Sequence, residues 1–198
     1  MYLYGAGGHG KVSKEILEGL GRTVDGFVDD NPETKELAGL LVKHDTDSVD
    51  EVIVSIGENE SRQKVAKRLD CKIAKAAIHP RATISPSAAI GDGTVVMAGA
   101  IVNTDTRIGE HCIVNSGASI DHECQIGDFV HVAPHTTLCG LITVGEGTLI
   151  GAGTTVITGI KIGRWCVIGA GSVVVRDIPD GCVAYGNPCK VVKTNCDK

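Results

Sequence analysis

From Ile78 to Val174, every sixth residue of this chain is Ile, Val or Leu, seventeen positions without a break. Neither a helix, with a period near 3.6, nor an isolated strand, with a period of 2, could hold such a register, so the segment is a solenoid repeat. A longer period overlies the hexad. An aliphatic residue followed by Gly and then Asp, Glu or Arg recurs at Ile90, Ile108, Ile126, Val144 and Ile162, always eighteen apart. Three hexads therefore close one turn of a three-sided coil. Each hexad supplies a short strand and a corner, and its aliphatic residue points inward onto its equivalent in the next turn. Successive turns are expected about 4.8 Å apart, so roughly five of them stand about 25 Å tall.

The fourth residue after each aliphatic position is small or β-branched in most hexads, as at Thr94, Ala100, Thr106, Cys112, Ala118, Cys124, Thr148 and Cys166. A corner leaves little room there. Only 3% of the residues are aromatic and 26 are Gly, which suits a coil filled with small aliphatics better than a sandwich. Eight cysteines are expected as free thiols. Those at 112, 124 and 166 are packing groups, and the remainder show no metal-ligand spacing. A formal net charge of −5, with no basic run, argues against nucleic acid or an anionic membrane as partner. With no signal peptide or membrane span visible, a soluble cytoplasmic protein is expected.

Residues 1–76 do not follow the hexad and form the first of two expected domains, with 77–198 as the second. A strand through Met1–Tyr4 enters Gly5-Ala6-Gly7-Gly8-His9-Gly10, after which Val12, Ile16, Leu17 and Leu20 mark one face of a helix. Strand, glycine turn and helix N-terminus form the context that a G-x-G-x-x-G motif requires. A second strand, 24–28, ends at Asp29-Asp30. A weak strand at 40–42 and a buried strand at 52–56 follow, then a helix over 60–69 and a short strand near Ile73. The pattern is βαβ and predicts a small, mostly parallel sheet whose ligand lies beyond the carboxyl ends of the strands. The positions there are Gly7, Gly8 and His9, then Asp29 and Asp30, then Ile56, Gly57 and Glu58. About 76 residues supply one mononucleotide-binding half rather than a dinucleotide fold. The last residues, 194–198, are expected to fray.

Histidines at 111, 122, 131 and 135 interrupt the coil, where the repeat itself gives them no structural role. His122 lies between Asp121 and Glu123. A carboxylate bonded to one ring nitrogen fixes the tautomer and raises the basicity of the other, which suits a general base.

The closing Gly186-Asn187-Pro188-Cys189-Lys190 resembles the Gly-Asn-Pro-Ala-Lys segment that ends many hexapeptide acetyltransferases, with Cys189 in the Ala position. A glycine-rich Rossmann-like half, a Val-Asp-Asp after the second strand and an uninterrupted hexapeptide coil with Asp-His-Glu-Cys together resemble the PglD/NeuD group of bacterial sugar acetyltransferases. The resemblance implies an α/β N-terminal Rossmann-like half-domain followed by a left-handed parallel β-helix. It implies acetyl-CoA as co-substrate, the amine of a UDP-4-amino-4,6-dideoxy sugar as acceptor, no metal, and a homotrimer with acetyl-CoA held between coils. It also implies roles. His122 matches the catalytic base and Glu123 the acid that raises its basicity. His131, Ala152 and Ala170 match contacts to acetyl-CoA. Gly7, Gly8, His9, Asp29, Asp30, Ile56 and Gly57 match the sugar-nucleotide site, with Arg62 a more distant match. Two positions depart from the group: His135 stands in place of Gly, and Glu58 in place of Asn.

Within the resemblance, O-acetylation of sialic acid or another glycan is the alternative chemistry. Two further readings use the same coil. A γ-type carbonic anhydrase would hold zinc on His122, His131 and His135, but leaves the N-terminal half unexplained. A non-catalytic sugar-nucleotide-binding trimer would leave His122 without a task.

Overall fold

A computed structural model describes residues 1–194. The N-terminal part is one six-stranded sheet in the order β3-β4-β2-β1-β5-β6. Its strands are β1 (Tyr2–Tyr4), β2 (Gly26–Val28), β3 (Glu36–Leu37), β4 (Leu40–Lys43), β5 (Glu51–Val54) and β6 (Lys72–Ile73), with helices α1 (Gly8–Gly19) and α2 (Asn59–Arg68). All pairings are parallel except the β3–β4 hairpin. That hairpin escapes sequence reading because its turn carries Ala38 at φ 49 beside Gly39 at φ 77, and an alanine is no cue for a left-handed turn. Leu3, Ile16, Leu17 and Phe27 pack on the α1 side, and Tyr4, Val28, Val54 and Val65 on the α2 side.

From Ala77 to Val174 the chain forms seventeen two-residue strands, β7 (Ala77–Ile78) to β23 (Val173–Val174), one per hexad. They stack in parallel, residue on residue eighteen apart, into three faces. The first face begins with β7, the second with β8 (Thr83–Ile84) and the third with β9 (Ala89–Ile90). The hexad aliphatics, Val96 through Val174, fill the interior. The small position is buried too, and it is more than filler. Thr94, Thr106, Thr136, Thr148 and Thr154 each donate their hydroxyl to the carbonyl fifteen residues ahead, at 2.6–3.1 Å. Cys112 and Cys124 make the same contact through sulfur at 3.1 and 3.2 Å. These side chains satisfy corner carbonyls that the strand ladders leave over.

Beyond the coil, β24 (Cys182–Tyr185) continues the first face and β25 (Lys190–Thr194) folds back on it antiparallel. Thr194 thus ends a strand rather than fraying; residues 195–198 lie outside the described part.

The N-terminal sheet sits on the first face. There β10 (Val95–Val96) and β13 (Ile113–Val114) turn Val96 and Val114 inward, while Val95 and Ile113 join the core of Leu3, Ile16 and Leu17. The seam is clasped by α2. Arg62, 1% exposed, spends all five of its N–H donors. Nε reaches the His111 carbonyl at 2.8 Å; Nη1 reaches those of Ile56 and Gly57 at 2.9 and 3.1 Å; Nη2 reaches Asn59 Oδ1 at 2.7 Å and the Phe129 carbonyl at 2.8 Å. Asn59 Nδ2 donates to the Gly147 carbonyl at 2.9 Å. Residues 111, 129 and 147 are the same corner of three successive turns, each with positive φ.

Candidate active site

At the carboxyl ends of the N-terminal strands, the glycine loop divides by function. Gly5, at φ 115, and Gly10 are needed for packing: a Cβ on the first would lie 2.9 Å from the Ser55 carbonyl, and on the second 2.4 Å from that of Gly5. Gly7 and Gly8 have nothing within 4 Å of such a Cβ. They open α1, whose N-cap Gly7 offers no side-chain cap, so the first-turn amides and the positive end of the helix dipole face the crevice. Asp29 braces the loop, accepting from the amides of Ala6 at 2.7 Å and Asn31 at 2.9 Å. Asp30 turns to Tyr4, whose hydroxyl is 2.5 Å away, and to Arg68. Burial opposes its ionisation, yet the Tyr4 and Arg68 hydrogen bonds hold its carboxyl below the ordinary range. Burial and this carboxylate push the Tyr4 phenol up to about 12.

Across the crevice, Ile56 and Gly57 end the β5 segment, with their carbonyls taken by Arg62. Arg62 therefore has no donor left for a phosphate and acts at the seam instead. Glu58 caps α2, accepting from the amides of Glu60 at 2.9 Å and Ser61 at 2.6 Å. These bonds outweigh burial and hold its carboxyl below the usual range.

His131, on β16 (His131–Val132) of the first face, meets this crevice. Its Nε2 is 3.0 Å from Asn115 Nδ2, and the Gly57 backbone lies beside the ring. Burial, aided by the Arg62 charge, lowers its pKa to about 4. The same causes, with His131 added, lower His9 to about 4, and His9 Nε2 is enclosed without a partner. Both rings are neutral near pH 7. Ala152 and Ala170 are exposed at the corner that follows the first face, stacked one turn apart; the Ala152 carbonyl accepts from Gly171 at 2.8 Å.

His122 lies elsewhere. It follows β14 (Ser119–Ile120) of the second face and precedes β15 (Gln125–Ile126) of the third, on the corner opposite the face that carries the N-terminal sheet. Its Nδ1 is 3.0 Å from Glu123 Oε2, and both side chains are about half exposed. With the Nδ1 proton held by the carboxylate, the Nε2 lone pair is the basic site.

Corner histidines, given no structural role in the repeat by sequence alone, do have one. His111 and His135 occupy left-handed corner positions, and each ring lies over a glycine one turn earlier, Gly93 and Gly117, where a Cβ would come within 2.6 Å. His111 also stacks on Phe129 with ring centroids 5.1 Å apart. His122, His131 and His135 do not converge within the chain, and among the described residues no His, Cys, Asp and Glu group is placed to hold a metal ion. No helix among them is long and apolar enough to cross a membrane.

Comparison with known proteins agrees with this architecture. Residues 1–69 match the PglD N-terminal domain model, and residues 105–140 and 142–176 match the bacterial transferase hexapeptide (six repeats) model. Perosamine N-acetyltransferase from Caulobacter crescentus, solved with CoA and GDP-perosamine, superposes with a TM-score of 0.92. It is 38% identical over 97% of this chain and 96% of its own. The acetyltransferase domain of PglB from Neisseria gonorrhoeae, solved with acetyl coenzyme A, gives 0.89 at 36% identity, over 96% and 98%. UDP-N-acetylbacillosamine N-acetyltransferase of Bacillus subtilis is 40% identical over 110 residues, 48% of this chain and 50% of the relative, so the match spans about half that protein's length. A glycine-loop sheet joined to a hexapeptide prism, shared end to end with proteins more than a third identical, places this chain in the PglD-type family of bacterial sugar acetyltransferases.

Proposed function

We propose that the protein transfers acetyl from acetyl-CoA to the amine of a nucleotide-linked sugar, a UDP-4-amino-4,6-dideoxy sugar, with His122 as general base. The observation that carries this reading is the exposed His122–Glu123 pair, its Nδ1 tethered at 3.0 Å and its Nε2 left basic. The neutral amine attacks the thioester carbonyl as Nε2 takes its proton. The C–N bond forms, the C–S bond breaks, and the proton passes to the departing thiolate. General-base help of this kind contributes about 10²–10⁴-fold. Gly7, Gly8 and the α1 N-terminus receive the diphosphate, with His9, Asp29, Asp30, Ile56 and Gly57 around the nucleotide.

The relatives support acyl donor and acceptor class alike: the Caulobacter enzyme was solved with CoA and a GDP-amino sugar. Placement supports a shared site. The glycine loop, His131, Ala152 and Ala170 belong to the first face and the corner after it, whereas His122 lies on the opposite corner. On this reading one chain does not bring its own base to its own nucleotide crevice. A trimer does so by setting the His122 edge of one copy against the His131–Ala152–Ala170 side of the next, with acetyl-CoA between them.

The test is thiol release from acetyl-CoA with a panel of UDP- and GDP-linked 4-amino sugars, other UDP-amino sugars and sialic acid. Turnover with a 4-amino sugar nucleotide, reduced at least about 100-fold in His122→Ala, is the expected result. Equal rates for the two proteins, or turnover with sialic acid alone, overturn the reading.

A further inference from the structure

Gly140 is a glycine for which the backbone gives no reason. Its φ lies outside the left-handed range, where any residue fits, and the glycines at the adjacent corner position, such as Gly127 and Gly145, would instead meet backbone. A Cβ on Gly140 would meet the His122 imidazole, 2.5 Å from both Cε1 and Nε2 and 3.0 Å from Nδ1. The ring thus lies flat over the Cα of the residue one turn above it. From below, the main chain of His122 is held just as closely. Its N–H donates to Asp121 Oδ1 at 2.8 Å, and Asn103 Nδ2, one turn earlier, donates to that same oxygen at 2.9 Å. The Asp121 carbonyl accepts from Thr106 Oγ1 at 2.6 Å, and the His122 carbonyl accepts from the Leu141 amide at 2.9 Å.

We infer that Asn103, Asp121 and Gly140, from three successive turns, form a seat that fixes the His122 ring, and that they are positioning residues for acetyl transfer. Glu123 sets which nitrogen is basic; the seat sets where that nitrogen points. Nε2 sits over Gly140, and any side chain there displaces it. Because about half of the His122 side chain is exposed, the ring can swing out to solvent at little cost to folding. The penalty then falls on the rate. Misplacing a catalytic group by about 1 Å can cost up to about 100-fold.

The inference rests on His122 being the base, and one set of variants separates the two claims. Steady-state kinetics of Gly140→Ala and Asp121→Ala are expected to show kcat lowered between about 10- and 100-fold, with KM for acetyl-CoA and for the amino sugar nucleotide changed less than about 2-fold. Asp121→Asn, which keeps an oxygen for both donors, is expected to recover most of that loss, and Asn103→Ala to fall between. A merely structural role would lower the melting temperature without this split between kcat and KM and without rescue by Asn. If His122→Ala is inactive while Gly140→Ala and Asp121→Ala match wild type, the seat is refuted and the base stands. If His122→Ala itself matches wild type, the base is refuted. Should Gly140→Ala fail to fold, the Asp121→Ala and Asp121→Asn pair decides alone: no difference between them refutes the seat.

Discussion

Replacing Arg62 tests how the two halves of the molecule are joined. The guanidinium is a buried cation with no carboxylate partner among the described residues; five oxygens from both sides of the seam hold it. Burial lowers its pKa to about 10, which still leaves it charged at neutral pH. In Arg62→Ala, the carbonyls of Ile56, Gly57, His111 and Phe129 and the Asn59 side chain lose their donor. A buried polar group left unpaired costs about 1–3 kcal/mol. Water will enter the vacated space and relieve part of that cost, and removing the desolvated cation offsets more. The net loss is then about 3–5 kcal/mol, the upper part of the range for a substitution that leaves several buried polar groups unpaired. For a chain of 198 residues, each kcal/mol moves the melting temperature about 2–4 °C, so the shift is about 10 °C. Arg62→Lys should lose nearly as much, since an ammonium presents its donors from one point and cannot span the seam. The assay is thermal unfolding followed by far-ultraviolet circular dichroism and by emission of Trp165, the single tryptophan, which borders a cavity with Asn59 and Glu60. Melting of both variants within about 2 °C of wild type would refute the argument that Arg62 is the clasp.

The glycine loop divides by substitution. Gly5→Ala and Gly10→Ala meet backbone at 2.9 and 2.4 Å and should lower stability by about 2 kcal/mol or more, read by chemical denaturation. Gly8→Ala meets nothing; it should melt like wild type and raise KM for the nucleotide sugar. Stability should also fall in mild acid. His9 and His131 are held neutral down to about pH 4 when folded, against an ordinary 6.5. The unfolded chain therefore binds more protons between those values, and stability declines as pH drops from about 6.5 toward 4. Melting curves of His9→Gln and His131→Gln across that range should be flatter than those of wild type. Sedimentation should give three times the chain mass, and a monomer with full activity would contradict the shared site.

The coil was legible because one residue in six is constrained by burial, and no insertion blurs the count between Ile78 and Val174. The parallel sheet followed from the glycine turn and the strand-end acids. Boundaries moved by one or two residues: β5 spans Glu51–Val54 rather than 52–56, and α2 spans Asn59–Arg68 rather than 60–69. What sequence could not supply is the relation between turns. Gly93 and Gly117 make room for His111 and His135 eighteen residues later, and Gly140 makes room for His122 eighteen residues earlier, contacts that no local window contains. The Arg62 clasp stayed hidden for the same reason, because four of its five acceptors are main-chain oxygens and leave no trace in residue type.

That anonymity bears on how such a molecule can change. A joint that grips carbonyls places no demand of its own on the side chains at 111, 129 and 147, only that the polypeptide bend there in the same left-handed way. What fixes the letters there is the stacking of His111 on Phe129 and the close approach of Trp165 to Gly147, not the clasp, and whole eighteen-residue turns added above Trp165 would lengthen the prism while leaving the clasp untouched. Length and attachment are therefore separable variables in this architecture.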